Sequence, residues 1–142
     1  MDCAAHLHIA AHHWQAPQMH SSTPGAGVLC RDGDRLYGAS LLMNSRGMPG
    51  GYGYVGYQPI KLGDVRIGAI AGVRTRSVFS QEDWRTWTWN PASYVKTTIT
   101  PYAAGAVSLR ITDTTELHLM LIPAIHRVTP ATAALSISWG WK

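Results

Sequence analysis

Residues 36–76 read LYGASLLMNSRGMPGGYGYVGYQPIKLGDVRIGAIAGVRTR, and similar residues recur at every second position. Leu36, Gly38, Ser40, Leu42 and Asn44 fall on one side; Tyr37, Ala39, Leu41 and Met43 fall on the other. Further along, Val65, Ile67, Ala69, Ala71 and Val73 share a face, opposed by Arg66, Gly68, Ile70, Gly72 and Arg74. A period of two belongs to a strand, because successive side chains of an extended chain point to opposite sides.

The alternation continues outward from this stretch. Segments 25–31 and 36–44 flank Asp32-Gly33-Asp34, a hairpin signal because Asp-Gly accepts the positive φ of a tight turn. Segments 50–61 and 65–76 flank Leu62-Gly63-Asp64, and segments 97–112 and 116–122 flank Asp113-Thr114-Thr115. Residues 131–141 form a last strand, while 6–14 reads as a short strand or a helical turn. The expected fold is all-β: a single antiparallel up-and-down β-barrel of about eight strands over residues 1–142. Closure removes the exposed edges that a long sheet presents. Residues 1–24 form its N-terminal strand and loop, and residues 77–96 a long Trp-rich loop.

Composition agrees with a tightly turned β protein. The chain has 142 residues, one Phe against six Trp and six Tyr, 14 Gly, and only 14% charged residues. That length buries enough surface to fold without a metal or disulfide. Cys3 and Cys30 show neither CxxC nor zinc spacing; free thiols are expected, with a disulfide between the two as the alternative. The net charge of +4 is scattered, with no basic cluster to hold nucleic acid. No run of 18 apolar residues marks a membrane helix. The start, MDCAAHLHIAAHHW, lacks a basic n-region, so the expected location is the cytoplasm of the producing cell or a virion.

In an up-and-down barrel, connections alternate between the two ends. The tight turns belong to one end. The loops at 15–24, 45–49, 77–96 and 123–130 belong to the other, and barrel mouths are common ligand sites. The candidate residues gather there. His12 or His13 is a candidate base for Ser45, which opens a loop directly after a strand. Asn44 is a candidate oxyanion donor or histidine-orienting group. Trp84, Trp87 and Trp89 alternate and offer indoles for a protein partner or small ligand, with His126 on the same rim. No HExxH or other metal motif is present, and no cofactor is implied.

From about His8 to Trp141 the chain resembles the PagP family of outer-membrane lipid A palmitoyltransferases, and more closely the short PagP-like barrels of phage and prophage genomes. The resembling stretches are the His-His-Trp near the start, LYGASLLMNS, GGYGYVGYQP, VRIGAIAGVRTR, ITPYAAGAVSL, HLMLIPAI and the closing SISWGW. The resemblance implies acyl transfer by His12 or His13 with Asn44-Ser45, an acyl ligand, and Gly53 at the floor of an acyl pocket. The chain departs from the family pattern in having Asn44 for an acid and Trp-Gly-Trp-Lys at its end. Arg66, Arg74, Arg110 and His118 are also candidates for the outward faces, where charge costs a few kcal/mol against lipid. These departures favour a soluble accessory or binding protein, probing a protein partner or small ligand through its loop rim. The alternatives are an acyltransferase-like or hydrolase-like enzyme and an outer-membrane barrel.

Overall fold

The computed structural model describes residues 1–14, 22–43, 49–79, 94–124 and 131–141. It contains β1 (Asp2–His13), β2 (Ser22–Asp32), β3 (Arg35–Met43), β4 (Pro49–Leu62), β5 (Val65–Phe79), β6 (Tyr94–Thr112), β7 (Thr115–Ile122) and β8 (Thr132–Trp139). Each strand pairs antiparallel with the next, and β8 pairs with β1, so the eight strands form a closed up-and-down barrel.

The turns at Gly33 (φ 60°) and Gly63 (φ 62°) use the left-handed backbone that glycine adopts without steric cost. They lie at one end with the β6–β7 turn, and all four longer connections leave from the other end. Lys61 Nζ sits 2.6 Å from Asp34 Oδ1 at the turn end. Its hydrogen bond holds that half-buried carboxyl below the usual carboxylate range.

Three sequence expectations change. First, β1 starts at Asp2 rather than near His6 and is a strand throughout, with a bulge between His8 and Ala10. Second, β5 and β6 extend to Phe79 and back to Tyr94, pairing across what reads as loop, so the connection shortens to residues 80–93. Third, Cys3 and Cys30 are not free thiols. They are opposed residues on β1 and β2 and form a disulfide, with Cα atoms 4.0 Å apart. The reason is register: the longer β1 carries Cys3 down to the level of Cys30.

Which row faces inward is now defined. On β3 and β4, Leu36, Ser40, Tyr54 and Gln58 are buried, while Tyr37, Leu41, Val55 and Tyr57 are exposed. A small apolar core lies in the lumen, with Leu29, Leu36, Tyr54, Ile70, Tyr102 and Met120 as its larger members. The glycines of the inward row do not leave empty space. The Tyr54 ring lies where a Gly38 side chain would stand, and its Cβ is 2.7 Å from the Cβ position of Gly72. At the turn end Gly140 (φ 88°) breaks the β8 alternation, and Trp141 tucks against the core beneath Arg31 instead of sharing the face of Trp139.

Candidate functional site

The lumen is unusual in what it holds. Inward positions carry His6, His8, Arg31, Gln58, Ser108, Glu116, His118, Ser136 and Ser138, all buried. Most of them join one hydrogen-bonded network that crosses the barrel. Arg31 from β2 donates through Nη2 to Glu116 Oε2 on β7 at 2.8 Å, and through Nη1 to Gln58 Oε1 on β4 at 3.1 Å. Gln58 Nε2 donates to Ser108 Oγ at 3.0 Å and to the Ala106 carbonyl at 3.3 Å. His118 lies between two hydroxyls, with Ser108 Oγ 2.9 Å from Nδ1 and Ser138 Oγ 2.6 Å from Nε2. The His6 ring lies 5.7 Å from that of His118, and His6 Nε2 is 3.3 Å from Tyr52 Oη. A buried charge is tolerated only when it is paired and hydrogen-bonded, and Arg31 with Glu116 meets that condition.

Nearer the loop end, His8 Nδ1 is 2.8 Å from the Thr23 carbonyl and 2.9 Å from Thr23 Oγ1. A carbonyl only accepts, so this nitrogen carries the hydrogen. Tyr52 and Tyr54 stack at 5.8 Å, and Arg74 lies over the Tyr102 ring at 5.8 Å. No cluster of metal-ligating side chains occurs among the described residues.

The outward rows are the complement of this lumen. From β1 to β8 they read Leu7, Ile9, Val28, Tyr37, Leu41, Val55, Tyr57, Val73, Ile99, Leu109, Leu121 and Trp139, all exposed. Leu41 is 77% exposed and Ile99 74% exposed, whereas Gln58 in the lumen is 0% exposed. The intervening outward positions include Ala5, Ala26, Ala39, Gly53, Ala69, Ala71, Ala103 and Gly105. Between the turns and the loop rim, no described outward position carries a charge. The charged residues feared on that face lie elsewhere. His118 is buried in the lumen, Arg74 faces Tyr102 inside, and Arg66 stands at the turn end, where it donates to the Gly33 carbonyl at 3.2 Å. Arg110, beside the β6–β7 turn, pairs with Glu116 in the ladder.

The sequence-predicted residues divide as follows. His12 and His13 do reach the loop end of β1, but on opposite faces. His12 is exposed and meets Trp14 edge-on at 4.9 Å, while His13 Nδ1 is 2.8 Å from Thr132 Oγ1. Gly53 lies on the outward row between Ala39 and Val73, and a Cβ there would meet nothing closer than the Gly38 carbonyl at 3.7 Å. A residue on the outer wall cannot floor a pocket in the lumen, so that implied role is corrected. Asn44, Ser45, Trp84, Trp87, Trp89 and His126 lie outside the described residues. Sequence reading missed the lumen network because its members sit on five strands. The available signal was a polar residue in an otherwise apolar strand, as in Gln58, His118 and Ser138.

The fold and its two faces define a class: small eight-stranded barrels with a buried polar network within and apolar rows without. No protein-family model matches the chain, and no curated protein matches it either.

Proposed function

We propose that this chain is a membrane-embedded β-barrel of the outer-membrane type, with lipid around its outer belt and its working surface at the loop end. The carrying observation is the inversion of polarity across the barrel wall. A barrel in water places polar rows outside; here the outward rows are apolar on all eight strands, while the lumen holds a buried polar network beside its small apolar core. The outward apolar residues encircle the molecule, whereas an ordinary soluble monomer exposes patches of roughly 300–600 Å².

The dimensions agree. Outward apolar rows run from Tyr37 to Met43 on β3 and from Ile99 to Ile111 on β6. At about 3.3 Å per residue and a tilt near 40°, those rows rise about 15 to 30 Å along the axis, bracketing the ~25 Å band of such barrels. Tyr37, Tyr57 and Trp139 lie on the outer face toward the turn end, where an aromatic girdle meets the headgroups. Short turns at one end and longer loops at the other repeat the asymmetry of outer-membrane barrels. The Cys3–Cys30 disulfide fits an oxidising compartment. The resemblance to PagP points the same way. Acyl transfer, which it implies, would draw on His13 rather than His12, because His13 is the one bonded to the inward-facing Thr132 of β8.

The test is partition. Protein refolded with phosphatidylcholine vesicles is expected to float with them, to resist carbonate extraction, and to migrate differently on a gel before and after boiling. A folded, monodisperse barrel in detergent-free buffer that leaves vesicles behind would overturn the proposal and restore the soluble accessory reading.

A further inference from the structure

We infer that the lumen is sealed toward the turn end by a charge-locked plug, so that the barrel is no pore. This inference rests on the membrane reading above and adds what the lumen does there. A polar barrel interior is what an aqueous channel has, so polarity alone leaves transport open. The contacts decide against it. Arg31, Gln58, Ser108, Glu116, His118 and Ser138 come from β2, β4, β6, β7 and β8, and each is buried. They bond one another across the cross-section at 2.6–3.2 Å. An ion crossing this layer must break several of those bonds at once. Below the layer, Trp141 packs beneath Arg31 with the guanidinium carbon 5.5 Å from its ring centroid.

The lock is the Arg31–Glu116 pair. These two join β2 to β7 across the lumen; Arg31 also donates to Gln58, and the bonds beyond Gln58 link uncharged side chains. Removing one partner leaves the other buried and unpaired, a state that draws in water. Replacing both by apolar residues leaves no charge to hydrate, and reversing both preserves the pair. The plug therefore behaves differently toward single and paired substitutions, which a passive filling of the lumen does not.

Vesicle flotation first establishes insertion, so a failure of the membrane reading is seen before any current is recorded. Wild-type protein in planar bilayers of phosphatidylcholine, in potassium chloride, is expected to show no steady conductance. Glu116→Ala and Arg31→Ala should raise potassium leak from vesicles by about ten-fold or more, the least change expected when a buried charge loses its partner. Arg31→Met with Glu116→Leu, and the exchange Arg31→Glu with Glu116→Arg, should both return to silence. Inserted wild-type protein that conducts steadily overturns the inference, as does a single variant that inserts and stays silent. Should the single variants fail to insert, wild type and the exchanged pair decide the seal: silence of both supports it, and steady conductance by either overturns the inference. The wild-type recording needs no substitution and stands on its own as a test of the seal.

Discussion

Gly38 on β3 and Gly53 on β4 lie one register position apart yet have contrary surroundings. Gly38 is on the inward row, and the Tyr54 ring occupies the space of its missing side chain. Gly38→Ala must push that ring off its seat against Gly72, and overpacking of this kind costs about 1–3 kcal/mol. Gly53 faces outward with free space around its Cβ position. Gly53→Ala should leave stability within about 0.5 kcal/mol of wild type, as surface substitutions generally do. Urea midpoints of the refolded barrel, read by the gel shift on boiling, check both, and equal losses at the two positions would contradict the assignment of faces. These residues also show where sequence reading stops. Both belong to glycine-rich alternating runs, and nothing in the letters says which glycine accommodates a ring. The role implied for Gly53 fails for the same reason, since a resemblance carries a position but not the side of the wall on which it lies.

At the scale of elements, the period of two and the three tight-turn signals made seven strands readable within a few residues of their ends. β1 was the exception. Its His6 and His8 interrupt an apolar run, so the segment reads as a short strand or a helical turn, although both are lumen residues of one twelve-residue strand. A polar residue counts against a strand only when the interior is assumed to be apolar, and here it is not. The same error hid the disulfide, because a β1 that begins at His6 never reaches Cys30. The bond staples the first strand to the second and closes a sequence separation of 27 residues. By loop-closure entropy such a link is worth about 3–4 kcal/mol. Cys3→Ser with Cys30→Ser should lower the urea midpoint by that order while the barrel still closes through β1–β8. Thiol titration of denatured, unreduced wild-type protein should find no free cysteine; two free thiols would contradict the pairing.

The barrel as a whole poses one question, whether water or hydrocarbon surrounds it, and the two answers predict opposite responses to charge. The strand pattern was legible in the sequence, but the direction of each row was not, because β3 carries leucines on both faces: Leu36 and Leu42 on one, Leu41 on the other. Only closure brings Ser40, Gln58, Ser108, His118 and Ser138 inside together and turns Leu41, Val55 and Ile99 out. That sorting supports a hydrocarbon surrounding, and a depth series tests it. Ala71 lies mid-strand on the outer face of β5, between Val55 and Ala103, whereas Leu62 stands at the turn end of β4. In a bilayer, Ala71→Arg should cost about 2–4 kcal/mol and Leu62→Arg about 0–1 kcal/mol, since the penalty for arginine falls from the midplane to the interface. In water both are exposed substitutions, expected to stay within about 0.5 kcal/mol of wild type and to raise solubility. Folding titrations of the two variants in urea, with phosphatidylcholine vesicles present, separate the cases. A steep cost at Ala71 beside a small one at Leu62 places the belt in lipid, and equal, negligible costs place the barrel in water.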